Sequence, residues 1–299
     1  LDLDRGTATM MSVVCIICQE LGLEMPMGLV AGDMGTRDGS MKIYDYLTGN
    51  LSKMDVSVMT FNYIMPDMKK NKEVLKAIDT LETRPILIAD AGSMYVAKAG
   101  GDATSYDVFT PDVGEVAYLA DEKAAHPTYT RGFIFHLEDD VPELIRRAYK
   151  EKNAARTLFV KGHVDYICQD GEILETVSQP CIEEMEPIGG TGDMITGTIS
   201  GLIYAGKSPL EACRIAARVN RRTGELSPPH PCHSGRRYRK MYPFGPKRRA
   251  RNPNMMVAMK TNSLFSAALG VDSLILETGF WTTWPPWAYD PVTRCQTLA

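Results

Sequence analysis

The segment Ile188 to Gly206, IGGTGDMITGTISGLIYAG, sets consecutive glycines before a helical pattern and puts a carboxylate in that helix's first turn. Glycines without Cβ atoms let neighbouring backbone N–H groups converge on one point. The helix that follows adds unpaired N–H donors and the positive end of its dipole. Such a site stabilises a phosphate or the oxyanion formed while a phosphoryl group moves. Asp193, beside that anion hole, is placed to take a proton from a substrate hydroxyl. The dipole is expected to hold it ionised near neutral pH. The competing reading is an ordinary helix start, with Thr191 as the cap and Asp193 complementing the dipole.

Three further segments bring chemistry to strand ends. Ile86 to Gly92, ILIADAG, is an apolar strand ending in Asp90, at the place where open parallel sheets bind ligands. That carboxylate could hold Mg²⁺, a water or a sugar hydroxyl, or simply cap the next helix. Phe109 to Glu115, FTPDVGE, leaves a strand with Asp112 and Glu115 at a helix start. The pair suits a hydrated magnesium ion near phosphates, and equally suits a capping arrangement in an i, i+3 relation. Leu158 to His163, LFVKGH, ends a strand in Lys161, whose charge could meet a phosphate or remain exposed.

The elements that must position these groups alternate. Strands are expected at Met27–Ala31, Val56–Phe61, Pro85–Ala89, Asp107–Thr110, Thr157–Val160 and Asp165–Cys168. Helices are expected at Gly39–Asn50, Asp67–Leu81, Ser93–Lys98, Val113–Asp121, Glu138–Asn153, Thr191–Tyr204 and Pro209–Arg221. Short β-rich runs between longer helical stretches indicate a mostly parallel sheet covered on both faces. The stretch around Cys15-x-x-Cys18 is also helical, and its flanking Val13, Val14, Ile16 and Ile17 favour buried structural thiols over a redox or zinc pair.

These motifs in this order resemble the ribokinase-like superfamily, and within it the ADP- or ATP-dependent NAD(P)H-hydrate dehydratases. The matching segments are IADAG (Ile88 to Gly92), TPDVGE (Thr110 to Glu115), VKGH (Val160 to His163) and GGTGDMITG (Gly189 to Gly197), followed by GLIYAGKSPLEACRIA (Gly201 to Ala216). The likeness is strong from about Pro85 to Asn220 and thinner from Met27 to Leu81. Asp112 stands where the family has His and Val113 where it has Pro. The resemblance implies a three-layer α/β/α sandwich with a mostly parallel central sheet. It implies ADP or ATP with Mg²⁺ as cofactors and NADHX or NADPHX, the hydrated nicotinamide nucleotides, as substrate. The nucleotide would meet Gly189, Thr191, Lys161, Gly162 and His163, and its phosphate an anion hole of Gly190, Thr191 and Gly192. Asp193 would be the base. Gly32, Asp33, Asn62, Asp90, Asp112 and Glu115 would face the substrate. A small-molecule kinase on the same fold would use the same residues, and a non-catalytic nucleotide sensor is the alternative of another class.

The chain has 299 residues, of which 44% are hydrophobic and 23% charged, and no apolar run approaches the roughly 18 residues of a membrane span. Seven scattered cysteines suit reduced thiols and a cytoplasmic protein. From Pro228 onward ten Lys and Arg stand against three Asp and Glu, which leaves the first 227 residues with 23 against 34. So acidic a body makes nucleic acid an unexpected partner. A homo-oligomer is compatible with all of this. The catalytic domain is therefore drawn as residues 1–227, and 228–299 as a basic, irregular extension. That extension reads as an interaction patch, a solvated tail or a shift of reading frame. His230, Cys232 and His233 lie between Pro229 and Pro231 without regular geometry, so no metal site is assigned. The first residues lack a basic region before their apolar stretch and are not read as a signal peptide.

Overall fold

The computed structural model describes residues 6–32, 36–124, 140–185, 189–226 and, as backbone, 295–297. The extension from 228 therefore lies outside the described residues apart from one short strand.

The elements run α1 (Thr7–Glu20), β1 (Gly28–Val30), α2 (Asp38–Asn50), β2 (Val58–Phe61), α3 (Met68–Asp79), β3 (Ile86–Ala89), α4 (Ser93–Gly100), β4 (Val108–Phe109) and α5 (Val113–Ala120). They continue with α6 (Val141–Lys150), β5 (Thr157–Val160), β6 (Asp165–Gln169), β7 (Glu172–Val177), α7 (Thr191–Tyr204), α8 (Pro209–Leu226) and β8 (Cys295–Thr297). A six-stranded sheet has the order β2-β3-β4-β5-β6-β7. Its first four strands are parallel and its last two pairings antiparallel. β1 lies outside this sheet and pairs in parallel with β8.

Alternation along the strands builds the two faces. Leu87, Ala89, Phe109, Leu158 and Val160 point into a core with Tyr44, Val74, Met94, Val116 and Leu144, so α2 to α6 cover that side. Ile88, Val108, Phe159 and Ile167 point the other way, into a core with Val13, Ile17, Ile199, Leu202 and Ala216 of α1, α7 and α8. This is the expected three-layer sandwich. Cys15 and Cys18 are both buried on α1 and neither is in a disulfide.

Some elements depart from expectation. β7 was not expected: its Ile173-Leu174 pair breaks alternation and stays largely exposed, and pairing with β6 alone makes it a strand. α8 runs five residues beyond Arg221, to Leu226. α1 and α7 pack closely because α7 presents glycines to its neighbour. A Cβ on Gly197 would stand 2.6 Å from the Met10 carbonyl oxygen, and one on Gly201 would stand 2.9 Å from Ile17 Cδ1. Among the described residues no helix is long and apolar enough to cross a membrane.

Candidate active site

The mouth of α7 opens the site. Gly190 is the N-cap residue, at φ 98°, and no side chain caps the helix. The competing reading, in which Thr191 caps α7, is not the arrangement found: glycine takes the left-handed position cheaply, which moves Thr191 into the first helical turn. The first intrahelical bond from this end runs from the Met194 N–H to the Gly190 carbonyl, 3.0 Å, so the N–H groups of Thr191, Gly192 and Asp193 precede it. These are the donors an anion would meet.

Asp193 is 5% exposed. The Gly6 N–H donates to its Oδ2 at 2.7 Å and Asn62 Nδ2 donates to its Oδ1 at 3.4 Å. Thr7 in turn donates its hydroxyl to Asn62 Oδ1 at 2.9 Å. The start of α1 thus reaches the Asp193 carboxylate, a contact that no motif before Met27 signalled. Burial pushes the Asp193 carboxyl above its ordinary pKa; the Gly6 bond opposes this and the nearby Asp90 charge adds to it. A dipole alone would lower it, so the expected direction is reversed, and the result is a stronger base.

Beside this group, Lys161 at the end of β5 donates to Asp90 Oδ1 at 3.1 Å, and the two side chains are 15% and 5% exposed. Asp90 Oδ2 accepts from the Thr196 hydroxyl at 2.8 Å. Asp90 therefore does not cap α4, whose N-cap is Gly92 with no side-chain bond. Nor is Lys161 a solvated surface cation. Burial would lower its pKa, but Asp90 first and then Glu115 and Asp112 more than offset that, so the ammonium stays charged. Its Nζ lies 3.4 Å from where a Cβ on Gly192 would stand, which puts the cation against the first turn of α7.

Asp112 and Glu115 form the capping box. Asp112 Oδ1 accepts the Glu115 N–H at 2.7 Å and Glu115 Oε2 accepts the Asp112 N–H at 2.8 Å. Tyr95 donates its hydroxyl to the other Glu115 oxygen at 2.6 Å. Burial pushes the Glu115 carboxyl up to about 7 despite the opposing charge of Lys161. Both Glu115 oxygens are thus occupied, and no trio of His, Cys, Asp or Glu among the described residues is arranged for a metal. The capping alternative is the arrangement observed, and these two residues do not form a magnesium cage by themselves.

The Lys161-Gly162-His163 turn is tied down by Arg221, a residue that motif reasoning passed over. Its buried guanidinium donates to Asp165 Oδ2 at 2.8 Å and to the carbonyls of Gly162, 3.0 Å, His163, 2.9 Å, and Ser178, 3.0 Å. The available signal was its place four residues after Ala217 and eight after Cys213, continuing the inward stripe of α8. Gly162 donates its N–H to Asp165 Oδ1 at 3.2 Å, and His163 is exposed with Nδ1 3.5 Å from Cys181 Sγ. Gly189 is exposed in the turn before Gly190. Gly32 packs on the start of α2, its carbonyl so close to Gly39 that a Cβ there would overlap it. Asp33 lies outside the described residues.

The sequence model of the NAD(P)H-hydrate dehydratase family matches residues 5–233. An uncharacterized protein of Methanocaldococcus jannaschii is 41% identical over 204 residues, which cover 68% of this chain and 83% of that one. Among solved structures, pyridoxal kinase of Bacillus subtilis in complex with ADP superposes with a TM-score of 0.51 at 16% identity, over 72% of this chain and 84% of its own. Pyridoxal kinase of Staphylococcus aureus with AMP-PCP and pyridoxal gives 0.51 at 14% identity, over 73% and 81%. The two kinases share the fold, a ribokinase-like sandwich around a mostly parallel sheet. With the family match running from the Gly6 contact on Asp193 through Arg221 at the far end of the site, the chain belongs to the NAD(P)H-hydrate dehydratase family.

Proposed function

We propose that this chain is an ADP- or ATP-dependent NAD(P)H-hydrate dehydratase. The observation that carries the reading is Asp193: a buried carboxylate of raised pKa, oriented by the Gly6 N–H and Asn62, at the open N-terminal turn of α7. The same surroundings fit a nucleotide phosphate, because Gly190 and Gly192 bring no side chain to the first turn of α7 and Lys161 lies against it.

The nucleotide, when bound, supplies the phosphoryl group that converts the ring hydroxyl into a leaving group. The chain's own residues do the rest by positioning and electrostatics. Asp193 takes the hydroxyl proton of the hydrated ring, and burial makes it a better base than a solvated aspartate. Asn62, itself held by Thr7, fixes the carboxylate plane. The first-turn N–H groups of Thr191, Gly192 and Asp193 face the oxygens that gain charge, one step along the chain from the Gly190, Thr191 and Gly192 set expected from the motif. Lys161 adds a cation kept in place by Asp90, which Thr196 fixes from the other side.

The test is incubation of the purified chain with hydrated NADH and either ADP or ATP. Recovery of NADH absorbance together with release of inorganic phosphate supports the dehydratase. A stable phosphorylated product marks a small-molecule kinase, and absence of turnover with nucleotide still bound marks a sensor.

A further inference from the structure

Tyr63 stands out beside this site and the mechanism above does not use it. It is a large aromatic residue 57% exposed, and its backbone sits at φ 55°, in the left-handed region that favours glycine. Two features clamp it there. Its N–H donates to the Ala91 carbonyl at 3.1 Å. The next carbonyl, of Ile64, comes so close to Gly92 that a Cβ there would stand 2.7 Å from its oxygen. The chain thus spends backbone strain and a glycine contact on presenting a ring to the outside.

That ring is at the catalytic carboxylate. Asn62, the residue before it, bonds Asp193, and Tyr63 Cε2 lies 3.8 Å from where a Cβ on Gly6 would stand, Gly6 being the other donor to Asp193. Partial burial, and after it the charge of Asp193, push the Tyr63 hydroxyl up to about 12, so it stays protonated and neutral. An uncharged aromatic face held rigidly at the mouth of a site suits the flat face of a heteroaromatic or dihydropyridine ring better than a polyhydroxylated sugar.

We propose that Tyr63 is the specificity platform of the site, stacking on the nitrogen heterocycle of the substrate and carrying the hydroxyl on that ring to Asp193. This rests on the dehydratase reading for the identity of the ring, but the stacking itself is measured separately. The probes are reduced nicotinamide mononucleotide and, as a ringless control, ribose 5-phosphate. Tyr63→Ala weakens the reduced mononucleotide by about 10-fold or more, the size of effect that alanine substitution gives for an aromatic stacked on a base, and leaves ribose 5-phosphate within about 2-fold. Tyr63→Phe binds as the parent does. With hydrated NADH the Ala variant raises KM and keeps kcat within a few-fold. Tyr63→Gly, which relieves the backbone, unfolds at the same temperature as the parent or higher.

Equal loss of both probes in Tyr63→Ala overturns the platform, as does unchanged affinity for the mononucleotide. A Phe variant as weak as the Ala variant also overturns it, because the hydroxyl and not the ring face would then be responsible. A parent that does not bind the reduced mononucleotide overturns it outright. Failure of the parent to regenerate NADH, with ring binding still dependent on Tyr63, overturns the dehydratase reading and leaves the platform standing.

Discussion

Asp193→Asn separates catalysis from structure because the surroundings predict opposite signs for the two. The carboxylate accepts two bonds, from the Gly6 N–H at 2.7 Å and from Asn62 Nδ2 at 3.4 Å. An asparagine keeps one acceptor oxygen, which goes to the shorter, backbone bond. Its amide then faces Asn62, which can turn its own oxygen inward because its other partner, the Thr7 hydroxyl, donates or accepts equally well. The structural loss is therefore at most one long hydrogen bond, about 1 kcal/mol or less. Against it, burial raises the pKa of Asp193, so its charge costs free energy in the folded state and removing that charge returns some of it. The variant should unfold within a few degrees of the parent, or above it. Turnover should fall by at least about 10²-fold, the usual cost of losing a general base, or about 2.7 kcal/mol of transition-state stabilisation. Thermal unfolding and steady-state kinetics with hydrated NADH and ADP or ATP give both numbers. A variant that is clearly destabilised yet turns over at near the parent rate refutes the reasoning and makes Asp193 a structural residue of the helix start.

Other substitutions probe the frame around it. Gly197→Ala places a Cβ 2.6 Å from the Met10 carbonyl oxygen and 3.1 Å from Val13 Cβ. Overpacking of about 1–3 kcal/mol should outweigh the helix-propensity gain of about 1 kcal/mol. As α1 shifts, its Gly6 contact on Asp193 loosens, so turnover falls together with the unfolding midpoint; a more stable, fully active variant would count against this packing. Arg221→Met strands the buried Asp165 carboxylate and should cost about 3–5 kcal/mol in chemical denaturation, with Asp165→Asn in the same chain recovering part of it. Glu115→Gln tests the buried acid. A folded pKa of about 7 against an ordinary 4.5 means that the contribution of protonated Glu115 is fully present below about pH 4.5 and is lost as pH rises through about 7. The Gln variant should therefore gain on the parent in unfolding midpoint across that window, and parallel pH profiles would rule the assignment out.

Much of this was legible in the chain itself, for a local reason. The glycines before Thr191, the apolar runs before Asp90 and Lys161 and the helix that carries Asp193 depend on backbone freedom and period, which neighbouring residues settle without knowledge of the fold. The capping box at Asp112 and Glu115 was one of two local readings, and the close approach of Lys161 to that pair was needed to see how deeply Glu115 is buried. What only the tertiary structure decided were the long-range partners. Gly6 meets Asp193 across 187 residues, Thr196 meets Asp90 across 106, and Arg221 reaches the Gly162 carbonyl across 59. Thr191 was displaced from the cap because Gly190 turned left-handed. Burial reversed the expected pKa direction at Asp193, since desolvation depends on the packing of α1 against α7 and outweighs a helix dipole that sequence position alone reveals.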